Sequence, residues 1–279
     1  MDGTTVRSSP VSLQRAYGRL AVSVKPRGTH SVLHELRQEG CLKARFPRPD
    51  DPAWLQVVTL NTSGGVAGGD VLDAAFAVGV GARATIASQA AERFYRALPG
   101  SAASRMTTRI VVAACGAVEW LPQDTILFDR CAVRRRLRVE LAADAWFLGV
   151  ESLVFGRAAM GERMSQGKFV DLWRMRRGGR MVFAENIHLD GDIGEKLARP
   201  AIAKGGTAIG AALIVPGDEA LVARIRELSE SFGGEVGISA WNGFAMARFC
   251  AQDAACLRAD MMAVLGRASS SALPRLWLN

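Results

Sequence analysis

Three carboxylates stand where the chain gives a charge little water. Asp70 closes the run Leu60-Asn61-Thr62-Ser63-Gly64-Gly65-Val66-Ala67-Gly68-Gly69-Asp70. Glu151 stands inside Phe147-Leu148-Gly149-Val150-Glu151-Ser152-Leu153-Val154-Phe155, and Glu185 follows Met181-Val182-Phe183-Ala184. A buried carboxylate without a partner costs several kcal/mol, so each must pair, protonate or meet a metal. For Glu151 the readings are a salt bridge to a nearby arginine such as Arg157, or a place on the wall of a polar channel. The two glycine pairs before Asp70 permit positive φ and close backbone approach. They predict a tight turn that fixes Asp70. No Gly-Lys-Ser/Thr follows, so this is not a phosphate loop.

The elements that position these groups are strands for most of the chain. Val133, Leu137, Val139 and Leu141 alternate with Arg134, Arg136, Arg138 and Glu140, the pattern of a strand with one solvated face. Arg134, Arg135, Arg136 and Arg138 form the densest basic patch and read as that solvated face, or as one meeting an acidic partner. Gly81-Ala82-Arg83-Ala84-Thr85-Ile86, Gly116-Ala117-Val118-Glu119-Trp120-Leu121 and Asp144-Ala145-Trp146-Phe147-Leu148-Gly149 share a turn-Ala-extended pattern at spacings of roughly 28 to 35 residues. Repeated strand units bury their apolar faces on neighbours. The expectation is a mainly β chain with a stacked, β-helix-like solenoid sheet architecture. The C-terminal third, about 207–266, reads strand-helix-strand-strand-helix. Asp218 caps a helix bearing Leu221, Val222, Ile225 and Leu228, which Gly233-Gly234 ends, and Asp253 caps one bearing Leu257, Met261, Val264 and Leu265. These are the two flanking helices. No linker divides 1–279, so one domain is expected, with a polar tail over 1–15.

Six pieces in one order carry a resemblance. They are Asn61 to Asp70, Gly81 to Ile86, Gln89-Ala90-Ala91-Glu92-Arg93-Phe94-Tyr95-Arg96, Glu119-Trp120-Leu121-Pro122-Gln123-Asp124-Thr125-Ile126-Leu127-Phe128, Glu151-Ser152-Leu153-Val154-Phe155-Gly156-Arg157, and Leu273-Pro274-Arg275-Leu276-Trp277-Leu278. The set resembles the urease accessory protein family UreD (also called UreH), from about Ala16 to the C-terminus. The resemblance implies a β-rich fold with helix-like winding and two flanking helices. It implies a scaffold that binds UreF, the GTPase UreG through UreF, and apo-urease, and it allows a dimer within the accessory complex. It also implies that Asp70, Glu151 and Glu185 line a passage holding Ni²⁺ transiently, with no permanently bound cofactor. Carboxylate and water are weaker, more exchangeable nickel ligands than imidazole or thiolate, which suits transit.

Composition sets the outer limits. The 279 residues are 49% hydrophobic, enough for a large core. No stretch approaches a membrane span and the N-terminus lacks a signal-peptide core, so the cytoplasm is expected. Cys41, Cys115, Cys131, Cys250 and Cys256 are scattered, with no Cys-x-x-Cys, and read as reduced and mostly buried. His30, His34 and His188 are too dispersed for a metal cage. The formal charge of +8 permits nucleic acid but does not require it, and no aromatic interleaving supports a single-strand binder. Without a Walker A run, a nucleophile elbow or a metal-ligand cluster, the leading reading is not an enzyme. The alternative class is a β-solenoid polysaccharide hydrolase, with Asp70, Glu151 and Glu185 as acid and base.

Overall fold

A computed structural model describes residues 14–157 and 160–278. Most of the expected polar tail, residues 1–13, lies outside the described residues. The chain is mainly β. In order come β1 (Tyr17–Arg27), β2 (His30–Gly40), β3 (Leu42–Arg45), β4 (Leu55–Asn61), β5 (Val71–Val78) and β6 (Arg83–Ser88). Then follow β7 (Glu92–Phe94), β8 (Ser104–Val112), β9 (Ala117–Leu121), β10 (Thr125–Leu127), β11 (Ala132–Leu141) and β12 (Trp146–Arg157). The last strands are β13 (Glu162–Arg163), β14 (Gln166–Arg177), β15 (Arg180–Asp192), β16 (Ala208–Val215), β17 (Glu235–Trp241) and β18 (Phe244–Ala251). The helices are α1 (Ile193–Ala198), α2 (Glu219–Arg226), α3 (Ala254–Ala268) and α4 (Arg275–Leu278).

Two sheets share these strands. The first runs β15-β14-β11-β8-β5-β1-β2, the second β17-β18-β16-β12-β9-β6-β4-β3. From β4 to β14 the chain crosses back and forth between them, and each crossing lays a new strand parallel to the last in its sheet. The three repeats seen in the sequence become neighbouring rungs: Arg83 pairs with Ala117, and Ala117 with Trp146. β1 joins β5 in parallel too, and β10 lies parallel to β7 and β12. The remaining pairings are antiparallel, and both sheets end in edge strands. The architecture is two open sheets with a parallel centre, mainly β as expected.

Period-two alternation decides what each face buries. Leu20, Leu72, Phe76, Ile110, Leu137 and Phe169 of the first sheet meet Val57, Ile86, Val118, Phe147, Phe155 and Leu213 of the second in one core. On its other face the second sheet carries α2 and α3. Leu221, Val222, Ile225, Leu257, Met261, Val264 and Leu265 pack there on Leu148, Val150, Ile214 and Phe249. The continuous apolar run of β12 follows, because it is buried on both faces. Both helices start as expected: the Asp218 carboxylate accepts from the Leu221 N–H at 2.8 Å, and that of Asp253 from the Cys256 N–H at 2.8 Å. Gly233-Gly234, however, does not end the first of them. α2 stops at Arg226 and a 3₁₀ turn over Ser229–Ser231 follows. The two glycine N–H groups instead donate to buried Asp260 of α3, each at 2.8 Å. The five cysteines are free thiols, but only Cys131 is buried and Cys115 is exposed.

Candidate functional site

Parity along β12 places the odd residues Phe147, Leu153 and Phe155 in the core between the sheets and the even residues Leu148 and Val150 under the helices. Glu151 therefore points between the sheets. Facing it are the odd residues of β11 and β14, where Arg135 and Asp171 are register partners. The Arg135 guanidinium is the hub. Its Nη2 donates to Asp171 Oδ2 at 2.8 Å and meets Glu151 Oε1, and its Nη1 donates to Thr125 Oγ1 at 2.8 Å. It lies over the Phe169 ring, 5.3 Å from the centroid. Breaking such a buried pair is costly, because each partner alone would be an uncompensated charge.

A cavity of about 230 Å³ opens beside this cluster. Glu151, Asp171, Arg135, Ser152, Asn61 and Glu92 are among its lining residues. Glu92 is placed by β7, which pairs through β10 with β12, Glu92 opposite Thr125 and Thr125 opposite Leu153. Burial pushes the Glu92 carboxyl up to about 7, against the opposing pull of the Asn61 amide and of Arg135. Asn61 Nδ2 donates to its two oxygens at 3.1 and 3.3 Å. The glycine turn forms part of the wall through Gly64 and Gly65. Gly65 has φ of +142°, and a Cβ there would sit 2.4 Å from the Tyr95 ring, so only glycine fits. Tyr95 Oη in turn donates to the Gly64 carbonyl at 2.6 Å.

Glu185 shares the inter-sheet space. It sits on β15 opposite Trp173, and its carboxylate takes Arg248 Nη1 of the second sheet at 2.6 Å. Arg248 and Glu151 flank Ala211 on adjacent strands, and both line a second cavity of about 460 Å³. Glu151 and the Glu185–Arg248 pair thus lie on the same inter-sheet side, two strands apart, and Glu185 itself lines neither cavity. His188 lies three residues beyond Glu185 on the opposite, exposed face, as a strand requires. Asp70 is elsewhere. Its Oδ2 accepts the Ala67 N–H at 2.7 Å and its Oδ1 the Ala16 N–H at 2.8 Å, which ties the turn to the start of β1. It stands at the end of the loop that carries Gly64 and Gly65 but is not among the residues lining either cavity.

Two expectations need correction. Arg135 is not part of the solvated basic face. Arg134, Arg136 and Arg138 are exposed, but alternation turns Arg135 inward. The partner of Glu151 is Arg135 rather than Arg157, which points outward, pairs with Glu162 and stacks on Phe128 at 4.4 Å. Asp171, Glu92 and Arg135 lie outside the site expected from the sequence. The parity of β11 and β14 pointed to Arg135 and Asp171. Glu92 had no local signal, since its place depends on which strand β7 joins. Among the described residues no three His, Cys, Asp or Glu side chains form a ready metal cage. The polysaccharide hydrolase reading needs one carboxylate kept protonated across a cleft from another. Here Glu151 and Glu185 are each met by a guanidinium and Asp70 by backbone N–H groups.

The family model described as UreD urease accessory protein matches residues 16–278. A urease accessory protein UreD 3 from a Bradyrhizobium species (strain BTAi1) is 58% identical, over 100% of this chain and 99% of the relative. The urease accessory protein UreD of Rhodopseudomonas palustris (strain BisA53) is 55% identical, over 100% of this chain and 96% of its own. That of Bradyrhizobium diazoefficiens is 58% identical, over 99% and 98%. The chain belongs to the UreD family of urease accessory proteins.

Proposed function

We propose that this chain is a single-domain, non-enzymatic scaffold of urease maturation that passes Ni²⁺, as cargo, toward the active site of apo-urease. It works in the cytoplasm in a complex with UreF and, through UreF, with the GTPase UreG, and takes no part in nucleic-acid binding. The observation that carries this reading is the inter-sheet cavity with Glu92, Glu151 and Asp171 around one guanidinium. Three carboxylates against one cation favour entry of a divalent cation once Glu92 is ionised. Oxygen ligands exchange quickly enough for release. Glu151 is the central station of the route. Glu185 is paired with Arg248, which shares a cavity wall with Glu151, and Asp70 stands at the base of the loop that forms part of the first cavity's wall.

The test is co-expression of urease with UreF, UreG and variants of this chain. Asp70→Ala, Glu151→Ala and Glu185→Ala each lower nickel per urease and activity partially, and the triple variant lowers them further, while the complex with UreF still forms. Normal activation by the triple variant overturns the conduit. Loss of soluble protein in place of loss of nickel assigns the carboxylates to the fold alone.

A further inference from the structure

The outward face of the first sheet poses a separate problem. Parallel strands are normally covered on both faces. Here the second sheet covers the inner face, while the outward side chains of β5, β8, β11 and β14 are exposed or half-buried. Register brings like charges together on this face. Arg105 lies opposite Arg134, and Arg109, Arg138 and Arg174 stand side by side on three neighbouring strands. Strands are about 4.8 Å apart, and like charges directly opposite one another destabilise a sheet. Internal partners answer only part of this. Glu140 takes Arg109 at 3.0 and 3.1 Å, and the carbonyls of Trp173 and Glu185 take Arg174, both at 2.9 Å. Arg105, Arg134, Arg136 and Arg138 have no side-chain partner among the described residues. An anionic partner from outside the chain would relieve the repulsion.

The surroundings say which kind. Arg134 and Arg136 stand opposite Val170 and Leu172, two half-buried apolar residues on the same face, whose other neighbours are His188 and Asn186. Apolar residues set beside a row of arginines match the composition of a protein interface. Guanidinium forks match carboxylates in bidentate geometry. Asp73 and Glu140 are interspersed among the cations. A protein surface can answer such mixed signs locally, whereas the uniform charge of a nucleic acid is repelled by them.

We propose that the outward face of the first sheet, centred on Arg136, Arg138 and Leu172, docks an acidic protein surface within the urease-maturation assembly. This rests on the scaffold reading above. Immobilised apo-urease and immobilised UreF are the two probes, with duplex DNA as the polyanion control. The full chain and the variant Arg134→Glu/Arg136→Glu/Arg138→Glu are compared for association rate at low and physiological salt. Circular dichroism checks the fold, and the Gln triple variant replaces the Glu one if the latter is unfolded. The expected result is a fall in association rate of about tenfold or more with one of the two proteins, and a flatter salt dependence. Equal binding of wild type and variant to both proteins overturns the docking face and leaves the scaffold reading standing. If the wild type binds neither protein, both fall. Wild-type retention on DNA at physiological salt, lost in the variant while both proteins still bind, overturns it in favour of a nucleic-acid surface.

Discussion

Glu119 and Glu151 are buried carboxylates on neighbouring strands of the same sheet, and they face opposite ways. Glu119 is 0% exposed on the helix side of β9. Its oxygens accept from Thr85 Oγ1 at 3.0 Å, from Ser271 Oγ at 2.6 Å, and from the N–H groups of Ser270 and Ser271 at 3.0 and 3.2 Å. It clasps the segment after α3 to the sheet. Beyond that clasp, buried Trp277 donates to the Leu121 carbonyl at 3.0 Å, and Arg258 stacks on its ring. Glu151, on the inner side, meets a guanidinium beside a cavity. Burial alone therefore does not mark a functional carboxylate. The kind of partner separates the two: neutral donors hold Glu119, a guanidinium meets Glu151.

The sharpest way to break the comparison is to remove the charge that holds the inner cluster. Arg135→Met leaves Glu151 and Asp171 facing each other, and we expect a loss of about 4 kcal/mol in urea unfolding at neutral pH. Adding Glu151→Gln recovers part of it, the mark of a coupled pair. Simple additivity would show that Arg135 does not bind the cluster together. Glu119→Ala comes next, at about 2–3 kcal/mol, because it strands the N–H groups of Ser270 and Ser271. Tryptophan fluorescence should report release of Trp277 together with this loss. Urease activation should then track the amount of folded protein. An activation defect at full stability would erase the distinction between the two regions.

The smallest effect is a matter of pH. Glu92 titrates near 7 in the folded chain against 4.5 for the free group. Between these values the folded state holds a proton that the unfolded state has released, so stability falls as pH rises from about 4.5 to about 7. The cavity moderates this to about 1–2 kcal/mol. Glu92→Gln should flatten the unfolding midpoint across that window. Glu119 is also pushed up by burial, but four donors oppose the shift. A slope unchanged in Glu92→Gln would move the proton to Glu119 and reverse the assignment of the two sites.

Much of this was legible from alternation and turns. The three repeats forecast stacked units, and the apolar run around Glu151 forecast an extended segment whose charge needed a partner or a cavity. Arg135 was hidden in plain view. The same period-two rule that placed Arg134, Arg136 and Arg138 outside puts their neighbour inside, but a run of arginines reads as a surface. The same rule on the strand carrying Trp173 places Asp171 inside, although a carboxylate in that stretch gives no other sign of a site. Glu92 and the Glu185–Arg248 contact were out of reach, since each depends on strands far apart in sequence. Glu119 carried no signal because its partners, Ser270 and Ser271, lie some 150 residues on.

The edge strand β2 has a bearing on aggregation. A sheet with a parallel centre offers each new strand the same template, and an open edge of eleven residues could accept a strand from another molecule. β2 runs antiparallel to β1, against the direction of the stack, and its outer half is exposed and carries Glu35, Arg37 and Glu39 in alternation. Any incoming strand would have to seat its own side chains against those charges. The winding that builds the cavity thus ends in a strand that stops it from propagating into a fibre.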